Sequence, residues 1–313
     1  MSIRKKIKRM RNKILISLAK YTVPYIYILY IKFVWATSKI ITELDVLDKI
    51  YEQEDKRVVA LLWHQDVFSV AWAYRKYEPI TMANVGDSGE IISKILQLCG
   101  YTYIWRGGSS KSRKRKVKIL DQFIKDYKTN ANRVVGLTVD GSSGPVFHLK
   151  RGGLVISQQC RVPIVLLRIW PKKRIHCPTW DKMVIPKPFN IIKIKCVGPY
   201  YIEPTTTDEE FEAKRAFIEN ELLEFTYETA MEIDKKFPSV LAKQFPEGWE
   251  PQWTVGQNHS EEPPISWKLE PIEIQPNNEE QDSSQEEETE KTDTSSTENN
   301  IQNNNLEHKE NEE

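Results

Sequence analysis

The chain has 313 residues and a formal net charge of +1, which conceals two oppositely charged parts. Residues 256–313 hold 17 acidic and 3 basic side chains, whereas the first 255 residues hold 42 basic and 27 acidic ones, a net of +15. A basic body of this size is expected to attract anionic partners: phospholipid surfaces, acidic carrier proteins, phosphorylated substrates or nucleic acid. The four scattered cysteines lack metal-ligand spacing, which disfavours both a zinc site and a disulfide framework.

The N-terminal segment combines positive charge with apolar and aromatic residues. Its first thirteen residues hold seven cations and no acid, and an apolar stretch follows. Lys20, Pro24 and Lys32 interrupt this stretch, so no run reaches the ~20 residues that a membrane-spanning helix needs. We predict that residues 1–45 form membrane-interface helices that attach the protein to the cytoplasmic face of the inner membrane. A secretory signal and a helix pair within the soluble core are the alternatives.

Beyond residue 55, strand-like runs alternate with helix-like segments. The predicted strands are RVVALLW, PITMAN, YTYIW, NRVVGLTVD and VPIVLLRIW. The predicted helices are DVFSVAWAYRKY, which Asp66 is expected to cap, then DSGEIISKILQLCG, SSKSRKRKVKILDQFIKDYK, GGLVISQQC and residues 207–236. This alternation predicts an α/β domain over residues 46–255, with a mostly parallel mixed sheet flanked by helices. Residues 256–313, rich in Glu, Asn, Gln, Ser and Thr, are predicted to be a disordered tail.

Polar residues directly after three of the predicted strands mark a candidate site. In a parallel sheet, ligands bind beyond the carboxyl ends of the strands. His64 follows one strand, Arg106 with two glycines follows another, and Asp140 ends a third. Because imidazole titrates near neutral pH, His64 is a candidate general base, and a structural histidine is the alternative.

The basic run RGGSSKSRKRK at residues 106–116 has three interpretations: a nucleic-acid patch, a solvated helix face or a phosphate site. The helix that follows has a predicted core-facing stripe of Val117, Leu120, Ile124 and Tyr127. Extended backwards, this stripe meets Arg113 and Lys114. Cations on an inward stripe, beside a helix N-terminus and a Gly-Gly turn, favour an anionic headgroup over a solvated cluster. Nucleic acid is disfavoured because no aromatic platform or known module accompanies the run.

The order of these segments resembles a known family. LLWHQD, RGGSS, TVDGSSGP followed by VPIV, and WDKMVIPKPF occur in the order of the motifs of a bacterial branch of the lysophospholipid acyltransferase superfamily. The resemblance covers roughly residues 55–200. It departs in three places. Ser69 stands where the superfamily has an acid five residues after its histidine, Ser142 and Ser143 replace a Pro and an Arg, and RGGSS has an additional glycine.

The resemblance implies a glycerolphosphate acyltransferase-like fold and an enzyme that moves a fatty acyl chain from an acyl carrier protein or coenzyme A thioester. The implied acceptor is a hydroxyl of a lysophospholipid or a phosphorylated glycolipid in the membrane. His64 would be the general base of a direct transfer that needs no metal or cofactor. Since the superfamily's usual acid is missing, we predict that Asp140 rather than Asp66 partners His64.

The alternative function is a non-catalytic peripheral membrane protein that binds anionic lipid.

For the acyltransferase, the residues expected to bind the acyl acceptor are Gln65, Asp66, Arg106, Gly107, Gly108, Ser109, Ser110, Arg113, Gly141 and Ser142.

Overall fold

A computed structural model of the chain describes residues 3–107, 113–130, 132–203, 207–234 and 245–251. It gives the backbone alone for residues 3–15, 113, 114, 116 and 130. The helices are α1 (Ile3–Thr37), α2 (Asp45–Tyr51), α3 (Val67–Ala73), α4 (Asp87–Leu98), α5 (Arg113–Asn130), α6 (Gly152–Cys160) and α7 (Asp208–Ile233). The strands are β1 (Lys39–Glu43), β2 (Val58–Leu62), β3 (Ile80–Ala83), β4 (Ile104–Arg106), β5 (Val134–Thr138), β6 (Ile164–Pro171), β7 (Arg174–His176), β8 (Val184–Pro186) and β9 (Ile191–Tyr200).

Seven strands form one mixed sheet in the order β1-β9-β6-β2-β5-β3-β4. The five strands from β6 to β4 run parallel to one another, β9 is antiparallel to β6, and β1 is parallel to β9. β7 and β8 form a separate antiparallel hairpin. The predicted α/β class with a mostly parallel sheet flanked by helices is therefore confirmed.

The central strands β2 and β6 are buried along their whole length because both faces of the sheet are covered, and Arg168 of β6 is the one charged residue in them. Every residue of β2 and of β6 is buried. Val59 and Leu61 of β2 pack with residues of α5, α6 and α7, whereas Val58 and Leu62 pack with residues of α2 on the other face. Continuous apolar strands of this kind are typical of parallel sheets between two helical layers.

The N-terminal segment contributes to the sheet, which the sequence did not indicate. α1 is followed directly by β1, which pairs with β9 and forms one edge of the sheet. No helix in the described ranges is long and apolar enough to cross a membrane. The tail predicted to be disordered, residues 256–313, lies outside the described residues.

The core-facing stripe predicted for α5 is wrong at its first position. Phe123, Ile124 and Tyr127 are buried and Leu120 packs against the same core, but the side chain of Val117 is 51% exposed. Arg115 and Lys118 are exposed as well, so the core reaches this helix only from Leu120 onwards. The side chains of Arg113 and Lys114, which the sequence placed on this stripe, lie outside the described part of the chain.

Candidate active site

The candidate site lies at the carboxyl end of β2, between its neighbours β5 and β6. Trp63 follows β2, is fully buried, and donates its indole N–H to the hydroxyl of Thr226 in α7 at 2.9 Å. His64–Asp66 then form a single 3-10 turn that leads into α3. Because Trp63 is anchored in the core, the chain leaves the sheet at a fixed point, and His64 is the first residue to emerge.

His64 is held at its backbone and at its ring. Its main-chain N–H donates to Oδ1 of Asp140 at 2.8 Å, and its ring Nδ1 lies 2.6 Å from Oδ2 of Asp181. The ring of Trp180 covers one side of the imidazole, with centroids 5.1 Å apart. The histidine side chain keeps 23% of its surface exposed, so a substrate can reach it.

Asp181 reaches His64 from the loop that joins β7 to β8. This hairpin follows β6, the strand next to β2, and so delivers its loop to the same edge of the sheet. Oδ1 of Asp181 accepts the main-chain N–H of Met183 at 3.2 Å. Burial raises the pKa of the Asp181 carboxyl, but hydrogen bonds from His64 and Thr179 outweigh burial and hold it below its usual value.

The pair of Asp181 and His64 has the geometry of a general base. An ionised carboxylate at Nδ1 selects the tautomer with the proton on Nδ1, which leaves the lone pair on Nε2. The same carboxylate stabilises the imidazolium that forms when Nε2 takes a proton. The arrangement can therefore remove a proton from a bound hydroxyl or thiol and return it later in the reaction.

The sequence predicted that Asp140 partners the side chain of His64. Asp140 does lie beside His64, but it does not contact the imidazole ring. β5 pairs with β2, so the two strand ends meet, yet Asp140 bonds the main-chain N–H of His64 and not the ring. Burial raises the pKa of Asp140 to about 6, against the opposing effect of the His64 N–H. Its second oxygen, Oδ2, is buried without a hydrogen-bond partner of good geometry among the described residues. Asp140 thus supports the backbone from which the imidazole projects.

Gln65 and Asp66 point into the interior, where Arg168 of β6 binds both. The guanidinium donates to Oδ1 of Asp66 at 2.8 Å and to Oε1 of Gln65 at 2.6 Å, and all three side chains are buried. The predicted cap of α3 by Asp66 is wrong, because its other oxygen accepts the main-chain N–H of Ile169 at 3.2 Å. Gln65 and Asp66 were also predicted to bind the acceptor. Neither side chain reaches solvent, so the structure does not present them to an acceptor.

Burial raises the pKa of Asp66 to about 6, and the charge of Arg168 opposes that shift. Burial also lowers the pKa of Arg168, but guanidinium is a strong enough base to stay charged. The pair is therefore ionic at neutral pH. It ties the turn that carries His64 to β6, the strand that leads to Asp181.

The turn after Asp140 is closed by a lysine. Nζ of Lys150 donates to the carbonyl of Asp140 at 2.6 Å and to that of Gly144 at 2.9 Å. Gly141 and Gly144 both have a φ of +69°, a conformation that glycine adopts readily. A Cβ at Gly144 would lie 2.8 Å from the ring of Trp180, so the turn and the aromatic wall beside His64 are in contact. Ser142 is exposed in this turn.

The basic run lies farther from His64. β4 is three strands away from β2, which corresponds to about 14 Å between strand axes. The guanidinium of Arg106 donates to the carbonyl of Gly89 at 2.8 Å and to the hydroxyl of Ser93 at 2.6 Å, both in α4. The sequence predicted that Gly107 binds the acceptor. Its N–H instead donates to the carbonyl of Ala83 at 2.9 Å, so this amide is not free to bind a phosphate. The predicted ligands Gly108, Ser109 and Ser110, and the side chain of Arg113, lie outside the described residues.

Sequence reasoning missed Asp181, although the sequence carries a signal for it. It is the single acidic residue between Asp140 and Glu203, within a stretch rich in lysine and arginine. It also belongs to the segment WDKMVIPKPF, one of the motifs that carried the family resemblance. Ser69, at the position where the superfamily has its acid, is buried in α3. No group of His, Cys, Asp and Glu in the described part of the chain could hold a metal ion.

Comparison with known proteins finds a likeness among solved structures and none in sequence. No family model and no curated protein match the sequence. A solved structure, the 1-acyl-sn-glycerophosphate (LPA) acyltransferase PlsC from Thermotoga maritima, aligns with 67% of this chain and 82% of its own, with a TM-score of 0.40 and 15% identity. A likeness at this level assigns no role to individual residues.

Proposed function

We propose that this protein is an acyltransferase that moves a fatty acyl chain from a thioester to a hydroxyl of a phosphorylated membrane lipid. The observation that carries the proposal is the 2.6 Å contact between Nδ1 of His64 and the buried carboxylate of Asp181, at the carboxyl edge of a mostly parallel sheet. The ordered motifs that resemble the lysophospholipid acyltransferase superfamily support the same chemistry.

In the proposed reaction, Nε2 of His64 takes the proton of the acceptor hydroxyl while the oxygen of that hydroxyl attacks the thioester carbonyl carbon. A tetrahedral intermediate forms, the carbon–sulfur bond breaks, and an oxygen ester remains. The imidazolium returns its proton to the departing thiolate, so the histidine ends the cycle neutral. Asp181 stays ionised and stabilises the imidazolium. The step needs no covalent enzyme intermediate.

The donor and acceptor classes follow from charge and from the family resemblance. The net charge of +15 over the first 255 residues suits an acidic acyl carrier protein or the phosphates of coenzyme A. A lysophospholipid or a phosphorylated glycolipid fits the acceptor. Arg106 and Arg113 remain the proposed contacts of its phosphate, and Gly141 and Ser142 remain proposed contacts of the acceptor. We place the enzyme at the cytoplasmic face of the inner membrane, attached through residues 1–45.

An acyl-transfer assay with the full chain tests this function. Purified protein is incubated with radiolabelled acyl-coenzyme A or acyl carrier protein thioester and a panel of lysophospholipids, beginning with lysophosphatidic acid. We expect turnover by the wild type and a loss of about a thousandfold or more in His64→Gln, because the proton acceptor is removed. His148→Gln is the matched control. This histidine is 49% exposed and pairs with Glu219 of α7 at 3.1 Å.

Equal turnover by His64→Gln and the wild type would exclude His64 as the base. A wild type that binds lipid vesicles but transfers no acyl chain with either donor would favour the alternative, a non-catalytic lipid-binding protein.

A further inference from the structure

Trp180 lies against the imidazole of His64. The two ring centroids are 5.1 Å apart, and the ring planes are inclined by 45°. Trp180 directly precedes Asp181, so one loop supplies both the carboxylate at Nδ1 and the aromatic ring beside the imidazole. Trp180 is 38% exposed, so it contributes less to the core than the fully buried Trp63 and Trp170 do.

The loop that carries Trp180 is fixed by its own hydrogen bonds. The main-chain N–H of Cys177 donates to the carbonyl of Met183 at 2.9 Å, and the N–H of Lys182 donates to the carbonyl of Thr179 at 3.1 Å. The N–H of Met183 also donates to the hydroxyl of Thr179 at 3.3 Å. These bonds enclose Trp180, so its main chain is held in one place.

The indole of Trp180 is supported on its other side by the turn after β5. A Cβ built on Gly144 would lie 2.8 Å from Cε3 and 3.1 Å from Cζ3 of the indole. Real Cβ atoms do not come as close as the first of these distances, so the ring fits here against a glycine. The indole thus contacts both the turn and the imidazole of His64, and the two contacts hold it in position.

The contact between the two rings becomes stronger when the imidazole is charged. In the proposed reaction, His64 is neutral before the proton transfer and is an imidazolium after it. The face of an indole attracts a cation that lies within about 6 Å of its centre. A neutral imidazole at the same distance gains only the packing of two aromatic rings. Because only an interaction that is stronger in the transition state raises kcat, this additional attraction can contribute to catalysis.

We propose that Trp180 is a positioning residue of the acyl transfer that stabilises the imidazolium of His64 through its indole ring. This inference rests on the proposed function and adds a second stabilising group to Asp181. The carboxylate acts at Nδ1, whereas the indole acts from beside the ring. The other role for an exposed indole is a contact with substrate. The imidazole is favoured because contacts within the protein already place the indole against it.

The experiment is steady-state kinetics of the full chain, with acyl-coenzyme A and lysophosphatidic acid as substrates. We expect Trp180→Leu to lower kcat about tenfold, because leucine is apolar but has no aromatic face to stabilise the cation. Trp180→Phe retains a weaker aromatic face and should keep kcat within about threefold of the wild type. The KM of each substrate should stay within about twofold in both variants, since the indole acts on His64 and not on substrate.

Tyr103→Leu is the matched control. Tyr103 precedes the edge strand β4, is 43% exposed, and its ring centroid lies 5.2 Å from the guanidinium carbon of Arg133. This variant therefore also removes an exposed aromatic ring from a cation, but at a place remote in the sheet order from β2. It should keep kcat and both KM values within about twofold of the wild type.

Fluorinated tryptophan separates the charge effect from the shape of the side chain. Fluorine withdraws electrons from the face of the indole and changes its size little, so a merely structural role predicts no response. Growth on tryptophan analogues of increasing fluorine content replaces all nine tryptophans. The kcat of the wild type should fall stepwise with fluorine content. The kcat of Trp180→Phe, prepared in the same way, should not, and it controls for the other tryptophans.

Three results would overturn this role of Trp180. The first is an unchanged kcat in Trp180→Leu, and the second is an equal response to fluorine in the wild type and Trp180→Phe. The third is a rise in one KM at constant kcat, which would make Trp180 a substrate contact. If Trp180→Leu does not fold, the fluorine comparison still decides.

Failure of the proposed function gives a different result. In that case the wild type transfers no acyl chain, or His64→Gln transfers it equally well. Either outcome would remove the imidazolium from the reaction and would overturn the role of Trp180 with it. An active wild type, an inactive His64→Gln and an unchanged kcat in Trp180→Leu would refute the role of Trp180 alone.

Discussion

Two regions at the carboxyl edge of the sheet differ in how their polar groups are used. At the centre, after β2, His64 is bonded by Asp140 and Asp181, and Arg168 fixes the turn behind it. At the outer edge, after β4, the Arg106 guanidinium and the Gly107 amide bond other parts of the chain. The central contacts hold the backbone, the ring and the turn of His64, whose imidazole is partly exposed, whereas those at the edge hold β4 to α4 and β3. This difference favours the centre as the place of the proposed chemistry and leaves the edge at most a binding role.

The largest effect should come from the carboxylate on the imidazole ring. Asp181→Asn should lower kcat about a thousandfold or more with little change in the acceptor KM, because an amide no longer fixes the tautomer or stabilises the imidazolium. Steady-state kinetics on the full chain measure this. Asp140→Asn is the matched variant, since its remaining oxygen can still accept the His64 N–H, and it should retain most of kcat. The opposite ranking would restore Asp140 as the ring partner, as the sequence had suggested.

The next effect tests the buried pair behind the histidine. Arg168→Met should reduce the free energy of unfolding by about 3 kcal/mol, because it leaves the Asp66 carboxylate buried without its cation. Urea unfolding followed by circular dichroism gives this value. Arg151→Met removes an exposed arginine that pairs with Asp208 and Glu212, and it should cost less than about 1 kcal/mol. Equal losses in the two variants would mean that the central pair contributes no more than a surface one.

The pH dependence of stability should separate Asp140 from exposed carboxylates. Burial raises the pKa of Asp140 in the folded state to about 6, from its ordinary value of 3.8. The folded protein therefore binds the proton more tightly, and this contribution to stability, complete below pH ~4, is lost as the pH rises through about 6. Asp140→Asn has no such loss.

Between pH 4 and pH 7.5, the stability of Asp140→Asn should therefore rise relative to the wild type by roughly 2 to 3 kcal/mol. Urea midpoints across that range measure the change. Asp208→Asn, at a carboxylate that is 86% exposed, should show no comparable trend. A flat difference for Asp140→Asn would mean that its carboxyl is ordinary in the folded state.

A smaller effect is expected at the outer edge. Arg106→Ala should raise the acceptor KM about tenfold and leave the donor KM unchanged, if its guanidinium contacts the acceptor phosphate in the bound state. Lys118→Ala, which removes an exposed cation of α5, is the control and should behave like the wild type. An Arg106 variant with a normal acceptor KM and a lower melting temperature would give this arginine a structural role alone.

The smallest effect is expected for the C-terminal tail. A chain that ends at Trp253 should keep kcat and acceptor KM within about threefold, since an acidic segment with few apolar residues contributes little to a packed core. A loss of donor binding in that variant would contradict this expectation and assign the tail a part in recognition.

The sequence alone determined the central strands and helices of the domain and pointed to His64 as the candidate base. Apolar runs such as VVALL and IVLL predict buried strands because a strand covered on both faces tolerates few polar side chains, and β2 and β6 lie where these runs are. The end of β2 draws attention to His64 for a second reason. In a parallel sheet, ligands bind beyond the carboxyl ends of the strands. These signals are local, so one sequence suffices to find them.

Tertiary structure alone decided which partners those residues have. Asp181 is 117 positions from His64, and it arrives there because β6 pairs with β2 and a short hairpin turns back over that edge. Asp66, two residues from His64, is instead drawn inward by Arg168, a cation that is too costly to bury without a carboxylate. The free energy of these contacts depends on which strands are neighbours, and no local pattern in the sequence encodes that order.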